Sequence, residues 1–285
     1  RSTLFPYTTL FRSRSNIVKI SDVLSNEFVV LRPTLINSHL KSVLQAQNKS
    51  QDNLKIVEIG KQFHIQNKTI IETNMLTGTV SEINPHKHWL KQRALSIFDI
   101  KADVERLINM LLPSTRISNK APIYYHPGRS ASYIYQKDTI VAQFGEIHPS
   151  ILDKLEIKGK VISSEIFLEK IPEITKRKQT LFSREQLVLS QYQAITRDFS
   201  FILDKLVTAD QLLNCIKKLH INELKDINIF DVYESTTLGD NKKAIAFEVL
   251  LQSNKATLTD SEIQNISKKI VGAISKNYNG ILRDS

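Results

Sequence analysis

The chain has 285 residues, of which 41% are hydrophobic and 24% charged, enough for two packed domains and too apolar for a wholly disordered chain. No apolar run approaches the roughly 20 residues a bilayer-spanning helix needs, which predicts a cytoplasmic protein with no membrane partner, and a single cysteine, Cys215, excludes an intrachain disulfide framework. The net charge of +10 is uneven: residues 190–285 carry 12 basic and 12 acidic side chains, residues 1–189 carry 27 and 17, so the positive field that favours an anionic partner such as RNA belongs to the first two thirds.

Residues 1–16 have no usable period and repeat Thr-Leu-Phe at 3–5 and 9–11. They read as an extension foreign to the protein that follows, and they lack the apolar core of a secretory signal. From Leu31 to Gln47 a helix is expected after the Pro33 entry, with Leu40, Val43, Leu44 and Gln47 along it. Leu54–Phe63 and Thr73–Val80 read as strands, separated from the next element by a polar loop, 84–93, that holds His86 and His88. Ile100, Val104, Leu107 and Leu111 then recur at helical spacing. Ser132–Tyr135 and Thr139–Ile147 suit a hairpin, Pro149 opens a short helix, and Val161–Phe167 is a strand. The charged, breaker-rich stretch from Lys170 to Glu185 reads as a linker, with Lys176, Arg177 and Lys178 as one phosphate-contact patch.

The last third is specified more tightly. Phe199, Phe201 and Leu203 alternate in a strand; Thr208 and Gln211 begin a helix with Leu212, Ile216 and Leu219 on its apolar face, close to which Cys215 reads as a buried thiol. Leu224–Tyr233 is a further strand. Within Lys242–Gln252, Ile245, Phe247, Val249 and Leu251 fall on one side and Ala244, Ala246, Glu248 and Leu250 on the other. Thr259 and Glu262 form a capping box ahead of Ile263, Ile266, Ile270 and Ile274, and a short strand can follow Gly280. This order is that of a ferredoxin-like split domain, and the whole chain reads as α+β: helices beside an antiparallel or mixed sheet, then a ferredoxin-like α/β sandwich.

Chemistry-bearing motifs are sparse. There is no glycine-rich phosphate loop, and His86, His88, His126 and His148 match no zinc spacing. Asp99, Asp103 and Glu105 read as a helix opening with negative charge near the dipole's positive end. His126-Pro127-Gly128-Arg129-Ser130 reads as a rigid turn pinning a hairpin, with Arg129 paired to an acid such as Glu146; no base or nucleophile accompanies it, so no catalytic, cofactor or metal residue is assigned. The RNA-contact candidates are Arg197, Lys217, Lys218, Lys242 and Lys243, and Phe199 or Tyr233 could stack on a base only by facing outward.

LRPTLINSHLKSV, LKIVEIGKQF, IFDIKADVE, YYHPGRSASYIY, FGEIHP, ITRDFSFILD, FDVYE, NKKAIAFEVLLQS and TLTDSEI, in that order, resemble the carboxy-terminal part of the bacterial phenylalanine-tRNA ligase beta subunit. The likeness covers residues 20–283, leaving 1–16 as an unrelated amino-terminal extension. It implies a partial, non-catalytic class II synthetase-like core over 17–169, a linker over 170–189 and a ferredoxin-fold anticodon-binding domain over 190–285. It further implies partnership with an alpha subunit and with the tRNA for phenylalanine, in a heterotetramer of two alpha and two beta subunits. ATP and magnesium belong to that complete enzyme, with none bound by this fragment. Under the resemblance Arg197 contacts RNA backbone with Asp198 as its orienting or structural partner, and Asp231 and Glu234 build turns and interfaces. His126, Gly128 and Arg129 become scaffold. The sequence departs from the family pattern at Gln193, Thr196, Ser235, Asn241, Val23 and Ser38. An autonomous amino-acid-binding or transferase enzyme, or a structural protein-interaction module, are the alternative readings.

Overall fold

A computed structural model describes residues 17–21, 29–84, 89, 93–112, 114–172 and 189–283. The chain divides into two units, Arg1–Ser183 and Arg184–Ser285. His86, His88, Val23 and the Lys176–Lys178 patch lie outside the described residues.

In the first unit the elements are α1 (Ile36–Asn48), β1 (Asn53–Gln66), β2 (Thr69–Glu82), α2 (Ile97–Leu111), β3 (Arg116–Ser118), β4 (Tyr125–Tyr135), β5 (Thr139–Ile147), α3 (Pro149–Lys154) and β6 (Lys160–Phe167). They build one antiparallel sheet in the order β1-β2-β6-β5-β4-β3. β1 and β2 run well past the stretches expected from sequence because Asn67 and Lys68, both at positive φ (50° and 64°), close a tight two-residue hairpin between them. Alternation along β6 sorts the core. Ile162 and Ile166 pack with Ala142, Phe144 and the α2 stripe, whereas Val161 joins Ile36, Leu40, Val43, Ile147 and α3.

The buried stripe of α2 is Ile100, Val104 and Ile108; Leu107, expected inside, is 39% exposed. Four-residue steps hold the stripe on one side of the helix, and a three-residue step to Leu107 rotates off it. Asp99 is the reciprocal cap of this helix: its Oδ2 accepts the Ser96 N–H at 2.8 Å, and Arg93 pairs with it as well. Burial alone would raise the Asp99 pKa, but the Ser96 N–H and the Arg93 guanidinium more than offset that and hold it below the ordinary value. Glu105 pairs with Lys101 one turn away. Asp99 and Glu105 are thus taken up by local helix contacts, and Asp103 is exposed.

His39 is buried in α1, its Nδ1 2.9 Å from Thr79 Oγ1 and its Nε2 3.3 Å from Glu58 Oε2, while Arg32 donates to the same Glu58 carboxylate at 2.7 Å. Burial depresses the imidazole pKa below its ordinary 6.5, and the Glu58 charge only partly restores it. The unfolded chain therefore binds the proton first. Stability from the neutral ring is complete above pH 6.5 and is lost as pH falls from there toward the folded value. Denaturant titrations of wild type and His39→Gln are expected to diverge over this window, with the wild type losing more stability on acidification.

The second unit comprises β7 (Ile195–Asp204), α4 (Ala209–Lys217), β8 (Leu224–Tyr233), β9 (Lys242–Leu251), α5 (Asp260–Tyr278) and β10 (Ile281–Leu282), with antiparallel sheet order β10-β7-β9-β8. Both helices start on reciprocal caps: Thr208 with Gln211, and Thr259 with Glu262. Their apolar stripes cover one sheet face, where Phe199, Phe201 and Phe247 stack with centroid separations of 5.4–6.4 Å. Cys215 is a buried free thiol. The opposite sheet face has no α-helix over it among the described residues, only the short 3-10 turn Thr236–Leu238 at one end, and that asymmetry creates the candidate site.

Candidate nucleic-acid interface

On β9, Ala246 and the covered Ala244, 4% exposed, alternate with the core residues Ile245 and Phe247, so small side chains form the middle of the other face. Ser200 of β7 lies directly opposite Ala246 and extends that low floor. On β8 the phase changes. Ile227 and Ile229 face the core, but the register shifts between Ile229 and Asp231, leaving Phe230 as an extra residue. This bulge brings Asp231 and Tyr233 into register with Ala246 and Ala244.

A groove of about 750 Å³ runs round the free edge of β7, lined from this face by Asp198, Ser200, Ala246 and Arg283, with Phe230 beside them, and from the helical side by Arg197, Phe199 and Ser267 of α5. A second hollow of about 290 Å³ shares Ser200, Ala246 and Arg283 and is walled by Asp231, Tyr233, Thr237 and Leu238. Phe230 is 56% and Tyr233 48% exposed, so two aromatic rings stand beside the small-residue floor. The Arg283 guanidinium and the carboxylates of Asp198 and Asp231 lie around it, while Arg197 leaves β7 on the other face. Such mixed charge suits one or two presented nucleotides, with a base stacked on a ring and a phosphate on an arginine, better than a long phosphate backbone.

Among the residues expected to touch RNA, only Arg197 lines this groove. Lys217 ends α4 and Lys218 caps it, both exposed on the helical side, where their charge also complements the helix dipole. Lys242 and Lys243 pair in register with Asp204 and Leu203, at the far end of β7. At about 3.4 Å per residue Lys243 stands roughly 20 Å along the sheet from Arg197. Its ammonium donates to the Lys205 carbonyl at 2.9 Å. The candidates are therefore dispersed over three places.

Arg197 and Asp198 are successive strand residues whose side chains leave from opposite faces, and no ion pair joins them among the described residues. Glu234 pairs with Lys205 at 3.0 Å, whereas Asp231 is exposed in the trough. Phe199 is in the core, and Tyr233 is the outward aromatic. Asn241 takes φ of 59°, a left-handed conformation that asparagine tolerates where glycine would be free of strain. Phe230 and Arg283 were not legible beforehand. Phe230 depends on the bulge, and Arg283 depends on its N–H reaching the Ser200 carbonyl at 2.8 Å across β10 and β7.

In the first unit, His126, Gly128 and Arg129 sit inside β4 rather than in a turn: Tyr125 pairs with Ile147 and Ser130 with Gly145, so residues 126–129 bulge opposite the single Glu146. Arg129 binds that carboxylate through two nitrogens, at 2.6 and 3.3 Å, and Glu146 is 9% exposed. His126 Nδ1 accepts the Gly128 N–H, and His148 Nδ1 accepts the Ser150 N–H. Among the described residues no group of three or more His, Cys, Asp or Glu could hold a metal ion. No helix among them is long and apolar enough to cross a membrane.

Comparison with known proteins agrees with this division. Residues 190–283 match the ferredoxin-fold anticodon binding domain, and residues 7–168 match the phenylalanyl tRNA synthetase beta chain CLM domain. The phenylalanine–tRNA ligase beta subunit of Ehrlichia ruminantium (strain Gardel) is 30% identical over 285 residues, covering 99% of this chain and 35% of that protein. That of Ehrlichia canis (strain Jake) is 31% identical over 273 residues, 94% of this chain and 34% of its own length, and that of Rhodospirillum rubrum 30% over 280, with 96% and 34% covered. The chain thus spans about a third of the length of these curated relatives. The reading of residues 1–16 as an unrelated extension is overturned: the CLM match begins at residue 7, and the first alignment takes in 99% of the chain. With one family match covering more than half of its residues and a second covering residues 190–283, the chain belongs to the phenylalanyl-tRNA synthetase beta-chain family.

Proposed function

We propose that the chain forms part of a phenylalanine–tRNA ligase beta subunit and serves the ATP-dependent attachment of phenylalanine to its tRNA by assembly and by anticodon-region binding, without making or breaking a bond itself. The observation that carries this is the open trough: an exposed Tyr233 beside Ser200, Ala244 and Ala246, within the residues that match anticodon-binding domains. The chain up to 169 serves as a non-catalytic class II-like core, 170–189 as a linker, and 190–285 as the RNA-binding domain. Arg197, which leaves β7 on the face opposite Asp198 and Ser200, contacts RNA backbone at the sheet edge outside the trough; Lys217, Lys218, Lys242 and Lys243 supply the weaker general attraction of a charged surface. His126, Gly128, Arg129 and Glu234 are scaffold. The partners are the alpha subunit, in a heterotetramer of two alpha and two beta chains, and the tRNA for phenylalanine, all in the cytoplasm.

Exposed apolar side chains in the first unit, Val57 at 75%, Ile59 at 72% and Phe98 at 69%, support docking of another subunit there. ATP and magnesium belong to the complete enzyme under this reading, and no residue of this chain is assigned to either.

The test is binding of tRNA carrying the phenylalanine anticodon, and of the same tRNA with an altered anticodon, to the chain assembled with its alpha subunit. Removing one aromatic stacking platform costs about 1–3 kcal/mol, so Tyr233→Ala should weaken cognate binding by on the order of 5- to 150-fold and narrow the difference between the two tRNAs. Replacing both Lys217 and Lys218 by alanine should leave that difference intact. The reverse pattern, with Tyr233→Ala silent and the lysine pair essential, would move the RNA to the helical side.

A further inference from the structure

Strand β10 covers only a short part of the outer edge of β7: Ile281 and Leu282 pair with Ile202 and Phe201, and the Arg283 N–H reaches the Ser200 carbonyl at 2.8 Å. In an antiparallel ladder the backbone groups of alternate residues point the same way, so the N–H and C=O of Asp198 and Thr196 face outward with those of Ser200. Among the described residues no strand takes them up. The groove of about 750 Å³ follows this open edge, and its size lies within the roughly 300–1,000 Å³ of clefts that hold a ligand as large as a nucleotide.

Two cations flank the edge from opposite sides. Arg283 stands opposite Ser200 on the trough face and lines both the groove and the hollow walled by Tyr233. Arg197 leaves β7 on the helical face, three residues from Ser200 or about 10 Å along the strand. Both side chains are exposed, and neither has an ion pair among the described residues. Asp198 decides the route between them. It follows Ser200 on the trough face, where its carboxylate repels phosphate, whereas its neighbour on the helical face is Arg197. A polyanion held at Arg283 is therefore turned off the trough face and over the edge.

We propose that the backbone of the RNA segment bound in the trough crosses the free edge of β7, with Arg283 holding the phosphate on the trough side and Arg197 the adjacent phosphate on the helical side. This crossing rests on the anticodon-region reading above. It adds to that reading a second phosphate contact, Arg283, and a course for the bound strand. It also requires an unpaired segment whose backbone can turn and whose bases can splay, as in a loop.

The experiment measures binding of stem–loop RNAs with the phenylalanine anticodon, each carrying one uncharged methylphosphonate linkage in the loop, to the chain assembled with its alpha subunit. On the unmodified RNA, Arg283→Gln is expected to weaken binding by roughly fivefold or more and to lower the slope of log affinity against log salt by about 0.7, the share of one phosphate in a single strand. Arg283→Lys should keep the slope. Both substitutions retain the backbone N–H that joins β10 to Ser200, so the sheet is spared. Neutralising one loop linkage should abolish the effect of Arg283→Gln, and neutralising the adjacent linkage should abolish that of Arg197→Gln. Masking of both by the same linkage, by linkages that are not neighbours, or by none overturns the proposal. If Tyr233→Ala weakens binding while both arginine variants are silent, only the edge crossing fails; if all three are silent, the anticodon-region reading fails with it.

Discussion

Phe247→Ala is expected to destabilise the second unit by about 3–5 kcal/mol, the range for removing a fully buried aromatic ring. Phe247 is 0% exposed, on the strand paired with both β7 and β8, and its ring stacks 5.4 Å from Phe199 and 5.9 Å from Phe201. The surrounding rings belong to strands held by backbone ladders, so the space can close only in part and a cavity term adds to the lost transfer energy. A loss of this size is a large fraction of the roughly 5–15 kcal/mol that stabilises a domain. Peptide-resolved hydrogen exchange checks it: amides of β7, β8 and β9 should lose protection while those of β1, β2 and β6 keep theirs. The effect reaches function through Ala246, next along the chain and on the opposite face, because the trough floor is the back of this core. Loss of protection spread equally over both units would contradict the separate cores described above.

Gly159→Ala should destabilise the first unit by roughly 2–5 kcal/mol, from two costs that act together. Its φ of +75° is a left-handed conformation, which charges an alanine about 1–2 kcal/mol. A Cβ there would also stand 2.4 Å from the Glu82 carbonyl oxygen and 2.8 Å from Ile83 Cα. Both are backbone atoms at the end of β2, unable to swing aside as a side chain would, so overpacking of about 1–3 kcal/mol is added. Lys160 begins β6 opposite Glu82, and displacement at Gly159 pulls that first pair apart. Hydrogen exchange should show the change in β2 and β6 and leave β7 to β9 untouched. A denaturation midpoint equal to wild type would mean that the 82–83 backbone yields at little cost.

How much of this was legible in the residues depends on the distance over which each feature is decided. The caps of α4 and α5 are i, i+3 relations, so Thr208 with Gln211 and Thr259 with Glu262 could be read directly. The two faces of β9 follow from a two-residue period in an uninterrupted strand, and the Arg129–Glu146 pair from two residues that a hairpin must bring near each other. The order of elements was enough for an α+β chain ending in a ferredoxin-like domain. The first sixteen residues are the opposite case: lack of periodicity was a poor guide to kinship, which the matched family sequence from residue 7 supplies.

Only the tertiary structure decided which residues meet. Arg197 and the pair Lys242 and Lys243 are basic entries to strands that run antiparallel, so their similarity in sequence puts them at opposite ends of the sheet. The Asn67–Lys68 turn takes positive φ at two residues that are not glycine, and its hairpin is stabilised by the ladder it closes. His39, Glu58 and Thr79 lie on three elements and are brought together by packing alone, with His39 and Thr79 buried. The trough shows the reason most directly. Periodicity reports which side a residue takes only while the phase is kept, and Ile227 and Ile229 by that rule send Asp231 and Tyr233 into the core. The bulge at Phe230 resets the phase, because pairing with β9 is satisfied better by one unpaired residue than by two polar side chains buried among Phe199, Phe201 and Phe247.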